Sequence, residues 1–345
     1  MRHGGRLADA RAAYPHAPLP WLDLSTGVNP FPWRRAVFRN ADATRLPDPA
    51  DTAALEAAAA ENFGARPAQV VALPGSELGI RLLPHILGAQ RIGIVSPTYG
   101  SHAEAWQAAG RDVRAIDAQI EPFAHDAVVL VNPNNPDGRT LTASEIVFLA
   151  ERMQASGGWL IVDEASADAT PDLSVAFKAG GRLIVLRSFG KFYGLAGLRL
   201  GFVVCDPALA DKVRTLVGDW PVNAAAVAAG RAAYADTAWK IRVHKRLARA
   251  AKTLSSLLEH NSFTVIGGTS LFRLVTHTRA ARCFATRAEA GCWCARSRTN
   301  PSGCGSACRQ PRIGLGWRGP WTSTSASPAA MRAPSSLRLP TWGPT

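Results

Sequence analysis

Ser188-Phe189-Gly190-Lys191, followed eight residues later by Arg199-Leu200-Gly201, is the stretch from which the rest of the chain is read. It sets an amine beside small, flexible residues at the end of the apolar run Leu183-Ile184-Val185-Leu186. An amine so placed can capture an aldehyde as a Schiff base. Most lysines are solvated surface charges, however, and a lone Ser-x-x-Lys is a weak signal. Its meaning depends on three segments upstream.

The first, Pro74-Gly75-Ser76-Glu77, follows the strand-like Val70-Val71-Ala72-Leu73 and opens the helix-like Leu78 to Leu87. Free backbone N–H groups at a helix start, with a glycine allowing close approach, suit a phosphate. The plainer alternative is a strand-to-helix turn. The second, Asn132-Pro133-Asn134-Asn135-Pro136-Asp137-Gly138, ends the run Ala127 to Val131 and by itself reads as a proline-fixed turn. The third, Asp163-Glu164-Ala165, follows Trp159-Leu160-Ile161-Val162. A carboxylate ending a buried parallel strand costs desolvation unless a cation meets it, the alternative being a helix N-cap.

In this order the segments resemble the fold-type I, pyridoxal-phosphate-dependent aminotransferase family. The resemblance implies roles: Lys191 as the Schiff-base lysine, Asp163 against the pyridinium nitrogen, and Asn135 at the ring's phenolic oxygen. Ser76, Glu77, Ser188 and Arg199 would surround the phosphate of pyridoxal 5′-phosphate. Tyr99, in Ser96-Pro97-Thr98-Tyr99-Gly100, matches the ring-stacking aromatic of the histidinol-phosphate aminotransferase branch. No metal is required. A carboxylate that keeps the pyridine nitrogen protonated strengthens the ring as an electron sink.

The amino terminus narrows the resemblance. His3-Gly4-Gly5 and Asp23-Leu24-Ser25-Thr26-Gly27-Val28-Asn29-Pro30 are similar to the start of the threonine-phosphate decarboxylases of cobalamin synthesis. That branch implies decarboxylation of L-threonine O-3-phosphate to 1-aminopropan-2-yl phosphate, with His3 and Asn29 near the substrate's phosphate. It also implies a homodimer whose interface completes the site. One departure is Ser166, where relatives carry an aromatic after Asp-Glu-Ala. Two other readings stay open: a histidinol-phosphate-type aminotransferase, which would break Cα–H with the same Lys191 and Asp163, and a catalytically dead interaction protein.

Length and composition agree with an α/β enzyme. The 345 residues, 47% of them hydrophobic, supply a sizeable core. Strand-like runs at 70–73, 91–96, 127–132, 159–162, 183–186 and 200–204 alternate with helical patterns. That alternation predicts a mostly parallel sheet with helices on both faces, and the resemblance adds a smaller α/β domain. Thr142 with Glu145 forms a capping box, and Asp51 with Gly64 brackets another helix. No stretch approaches the roughly 20 apolar residues that span a bilayer, and no signal-peptide core appears in residues 1–25, so a cytoplasmic enzyme without a membrane partner is expected.

The carboxyl-terminal segment differs. Residues 279–345 hold ten arginines, no lysine and one acid, Glu289, and so carry +9 of the formal +13. Five of the six cysteines lie there: Cys283, Cys292, Cys294, Cys304 and Cys308. Neither Cys292-x-Cys294 nor Cys304-x3-Cys308 has the spacing of a zinc ribbon. Clustered arginine with Trp293, Trp317, Trp321 and Trp342 offers nucleic-acid contacts, but this accounts for one feature only. A displaced reading frame accounts for all of them. Cys292-Trp293-Cys294, read as TGC-TGG-TGC, becomes Leu-Leu-Val one frame over. Continuing to Gly314 yields a Leu-Arg-Phe-Gly ending similar to the family's, whose arginine clamps the substrate carboxylate; Arg312 is only a superficial mimic. The domains expected are an arm at 1–33, a large cofactor-binding domain at 34–222, an incomplete small domain at 223–291 and a poorly structured, frame-shifted tail at 292–345.

Overall fold

The computed structural model describes residues 4–33, 44–117, 124–278, 280–297 and the strand at 312–316. Strand β1 (Leu22–Leu24) belongs to a small sheet. The next seven build the large one: β2 (Val70–Leu73), β3 (Arg91–Val95), β4 (Asp112–Ile116), β5 (Ala127–Val131), β6 (Trp159–Asp163), β7 (Leu183–Ser188) and β8 (Gly201–Val204). Their spatial order is β2-β8-β7-β6-β5-β3-β4, and within it β8 alone runs against its neighbours.

The central strands are apolar throughout because both faces are covered; all five residues of β5 are buried. Successive side chains alternate between the faces. Leu160, Val162, Leu183 and Val185 join Leu55, Ile146 and Ala226 of the helices at 49–63, 143–155 and 224–234. Ile161, Ile184 and Leu186 join Ile80, Trp106 and Val213 of the helices at 76–86, 101–108 and 207–217 on the other face. The mostly parallel sheet expected from the sequence is therefore present.

Two details differ from expectation. Strand β4, Asp112-Val113-Arg114-Ala115-Ile116, escaped notice because it is an edge strand with largely exposed, charged residues and no continuous apolar run. The helix expected to start at Asp51 is capped by Asp48, whose side chain accepts from the Ala50 N–H at 2.8 Å, with Pro49 in the first turn. Gly64 closes it at φ 68°. The Thr142–Glu145 capping box is formed as expected.

The small domain joins the arm to the carboxyl-terminal half. β9 (Thr264–Thr269), β10 (Phe272–Thr276), β11 (Cys292–Ser297) and β12 (Arg312–Gly316) order as β1-β11-β12-β10-β9, with β1 parallel to β11. Pairing thus continues past residue 291, where the small domain was expected to end. The reason is burial: Trp293, 1% exposed, packs edge-on against Tyr14 and Trp21 and beside Phe284. Burial also pushes the Cys294 thiol up to about 12, which leaves it an unreactive core group. Residues 298–311 and 317–345, with Cys304, Cys308 and the last three tryptophans, lie outside the described residues. Among the described residues no helix is long and apolar enough to cross a membrane, and no three metal-ligating side chains converge.

Trp293→Ala should remove the wedge between arm and sheet at a cost of about 3–5 kcal/mol. Urea denaturation would measure the loss, and trypsin should then cut faster at exposed Arg11. An unchanged cleavage rate would mean that the arm is held elsewhere.

Candidate active site

A pocket opens where the parallel strands end, the usual position for ligands in open α/β sheets. Its wall includes Val28, Gly75, Ser76, Glu77, Tyr99, Asn135, Asp163, Ser166, Ser188, Lys191 and Arg199. Eight residues singled out in the sequence, from Ser76 to Arg199, are therefore brought together from separate strand ends. Of the other two, Asn29 lies outside the pocket wall and His3 lies outside the described residues.

One end of the pocket is built for an anion. The helix at 76–86 begins with Gly75 at φ 92°, leaving the Ser76 and Glu77 N–H groups without carbonyls of a preceding turn. A Cβ on Gly75 would sit 2.6 Å from Arg199 Nη2, and one on Gly201 would strike the Ser76 nitrogen. Arg199 itself takes φ 55°, a left-handed conformation that an arginine adopts at some cost. Hydroxyls of Ser76 and Ser188, a guanidinium and helix-start N–H groups make a donor set that fits a phosphate. Glu77 differs from the rest: its carboxylate is 3.1 Å from Arg81 Nε and accepts from the Tyr99 hydroxyl at 3.4 Å. What Glu77 offers an anion is its backbone N–H.

The other end holds opposed charge. Lys191 opens on the pocket from the short helix at 189–192. Burial lowers its pKa, Asp163 opposes that shift, and Arg199 adds to it. The outcome is an amine more often neutral, and so more nucleophilic, than a surface lysine. Asp163, 3% exposed, is fixed at both oxygens: Oδ1 accepts from the Ala165 N–H at 2.9 Å, and Oδ2 lies 2.9 Å from His102 Nε2. His102 is equally buried and was missed in the sequence, where 61 residues separate it from Asp163 and no pattern links them. Tyr99 lies edge-on to His102, and burial raises its hydroxyl pKa.

Asn135 reaches the pocket because its neighbour Asn134 anchors the loop. Asn134 Nδ2 donates to Pro97 O at 2.9 Å and to Asp137 Oδ1 at 2.7 Å, while the Thr98 hydroxyl donates to Asn134 Oδ1 at 2.6 Å. One carboxamide thus holds the Tyr99 and Asn135 loops together. Asn29 works differently from the sequence expectation. Its Nδ2 donates to Phe192 O at 2.6 Å, its Oδ1 accepts from the Phe31 N–H at 2.8 Å, and its own N–H donates to Lys191 O at 2.9 Å. The carboxamide therefore ties the arm to the backbone of the lysine segment, and Val28 lines the pocket instead. Ser166 lines the pocket together with Asp163 and Ala165.

The pattern of the aminotransferase class I and II family matches residues 20–299. Threonine-phosphate decarboxylase of Pseudomonas aeruginosa is 40% identical over 285 residues, 81% of this chain and 85% of that protein. The enzyme of the same name from a Sinorhizobium species is 42% identical over 283 residues, 81% and 84% of the two chains. Among solved structures, L-threonine-O-3-phosphate decarboxylase from Porphyromonas gingivalis superposes with a TM-score of 0.74 at 19% identity, covering 87% of this chain and 95% of that one, a likeness of fold.

The charges around Lys191 set opposite expectations for its reactivity toward an amine-modifying reagent in the cofactor-free protein. The rate should rise with pH through a midpoint below that of an ordinary lysine, about 10.4. Asp163→Asn should move the midpoint lower still, and Arg199→Met should move it up, as peptide mapping of Lys191 would record. Shifts of the same sign in both variants would contradict the electrostatic account. Gly201→Ala should weaken binding of inorganic phosphate by filling the cradle, measured by calorimetry.

Proposed function

The chain belongs to the class I and II aminotransferase family, and within it we propose a pyridoxal-5′-phosphate-dependent carboxy-lyase that converts L-threonine O-3-phosphate to 1-aminopropan-2-yl phosphate. The observation that carries the reading is the pair of relatives of that name, 40% and 42% identical over four-fifths of the chain. The pocket supports it by bringing a desolvated amine, a carboxylate fixed at both oxygens, and helix-start N–H groups beside a guanidinium into one cleft. In the same reading the enzyme is a cytoplasmic homodimer serving cobalamin synthesis.

When bound, pyridoxal 5′-phosphate supplies the electron sink for the pair left at Cα as the carboxylate departs as CO2. The chain's residues do the rest. Ser76, Ser188, Arg199 and the helix-start N–H groups would hold the cofactor's phosphate. Asp163, kept in place by His102, sets a negative charge at the pyridine nitrogen. Tyr99 and Asn135, which line the same pocket, would pack against the cofactor's ring and hydrogen-bond it. Lys191 would hold the cofactor's aldehyde group, and its amine, once free, would be the group placed to return a proton to the substrate's Cα. Selection of C–C over C–H cleavage falls to the groups that orient the substrate, for which His3 stands as a proposed phosphate contact.

We also ascribe the terminal segment to a displaced reading frame. Support comes from the acid-free, arginine-rich composition of residues 292–345, and from β11, where the Trp293 indole N–H is buried with no hydrogen-bond partner among the described residues. Leu-Leu-Val at 292–294 would fill the same apolar strand without that unsatisfied donor. On this account the carboxylate-clamping arginine is missing, and the chain binds cofactor far better than substrate.

Borohydride should trap the cofactor on Lys191 with loss of visible absorbance, and Lys191→Ala should abolish the label; a trapped cofactor in that variant would refute the assignment. With the frame restored, CO2 should leave threonine phosphate without any 2-oxo acid. Conversion of 2-oxoglutarate to glutamate with no CO2 would establish a histidinol-phosphate-type aminotransferase instead. If the genomic sequence around codons 280–300 reads cleanly and the unaltered chain turns over normally, the frame account fails, and Arg296 and Arg312 are the first residues to mutate.

A further inference from the structure

Behind the pocket, on the opposite face of the sheet, lies a buried ion cluster that the chemistry above does not use. Strands β6 and β7 are adjacent and parallel, with Asp163 opposite Leu186. Alternation sends Asp163 and Ser188 to the pocket face and their immediate neighbours, Glu164 and Arg187, to the other. Arg187 is 2% exposed and Glu164 0%. Arg187 Nη1 donates to Glu164 Oε2 at 2.6 Å and to Ser174 Oγ at 3.1 Å, and its Nη2 pairs with Asp168. The second oxygen of Glu164 accepts from the Val175 N–H at 2.6 Å, and the Ser174 hydroxyl donates to Oε2 at 2.6 Å. The guanidinium lies over the Phe63 ring, 4.5 Å from its centroid.

The fork therefore bridges three chain segments: the end of β7, the end of β6 and the turns at 167–178. Each end carries a cofactor-facing residue one position away. Beyond the ladder that pairs Asp163 with Leu186, the Glu164 N–H donates to Leu186 O at 2.9 Å, and β7 turns into the lysine helix within one residue of Ser188. On the same face the hydroxyls of Tyr193 and Tyr234 are buried without a hydrogen-bond partner among the described residues, and burial raises the pKa of both. Such an ion cluster is a costly way to stabilise a fold, because desolvation offsets much of the attraction. A planar bidentate fork does, however, fix distance and angle between strand ends in a way that apolar packing does not.

We propose that Arg187, through Glu164 and Asp168, is a positioning residue that sets the spacing between the Asp163 carboxylate and the Lys191 amine across the pocket. The proposal rests on the cofactor reading given above. Lys191 and Asp163 must meet opposite sides of one rigid ring, so a loosened strand end separates the two groups without removing either.

The test uses the full chain, pyridoxal 5′-phosphate as probe, and three variants. Arg187→Lys keeps the charge and loses the fork; Glu164→Gln keeps the shape and loses the charge. Leu149→Ala, which truncates a side chain of the same apolar layer that makes none of the cluster's hydrogen bonds, supplies a matched loss of stability. Cofactor Kd, the rate of attachment to Lys191, the pH midpoint of the visible band and the melting temperature of the cofactor-free protein are measured for each. The expected result is a Kd or attachment rate worsened about 10-fold or more in the Arg187 and Glu164 variants, as small misplacements at reacting groups produce. Their band midpoint should move as well, and Leu149→Ala at equal melting temperature should match the parent in all three. Variants that melt earlier but bind, react and titrate like the parent would overturn the proposal, as would failure of both to fold where Leu149→Ala folds, since either outcome assigns the cluster to stability alone. If the parent chain itself attaches no cofactor at Lys191, the functional reading fails; a failure confined to the variants' readouts is specific to this inference.

Discussion

The register between β6 and β7 is the constraint on which the site depends. Two adjacent parallel strands, paired with Asp163 opposite Leu186, end side by side, and the pleat assigns every residue at those ends to one face or the other. Asp163 and Ser188 share the pocket face. A slip of one residue in either strand would carry a pocket-facing group into the apolar layer around Phe63 and Tyr234, and bring Arg187 or Glu164 into the pocket. The apolar residues that precede these ends, buried on both faces, make such a slip costly, so the core and the site are specified by the same pattern.

Charge at the pocket follows from where those ends meet the helices. Asp163 is held by His102 from the helix at 101–108, Arg199 presses against Gly75, and Lys191 lies between the two fields with its amine desolvated. None of these groups is perturbed by its sequence neighbours alone. Each becomes useful because the sheet brings a carboxylate, an amine and an anion cradle to one cleft.

The small domain shows a different dependence. Its sheet is closed by β1 from the arm and by β11 from near the carboxyl end, so neither terminal region can complete it alone. Asn29 then carries that dependence to the site, since its carboxamide and N–H are bonded to the backbone of Lys191 and Phe192. The arm thereby acts on the lysine through the chain, a role that reading Asn29 as a substrate contact did not anticipate.

The sequence by itself determined the central strands of the large sheet, because apolar runs such as Ala127–Val131 and Leu183–Leu186 suit strands buried on both faces. It also determined the identities of the pocket residues, because their order along the chain is far more specific than any one motif. The edge strand β4 was not legible, since a charged, half-exposed strand carries no continuous apolar signal. Nor were His102, Asn134 and the Glu164–Arg187–Asp168 cluster, whose partners are separated by up to 61 residues or lie on the face opposite the motif that drew notice. Tertiary structure alone decided these, because hydrogen bonds and ion pairs are local in space, and only the folded sheet makes distant segments neighbours.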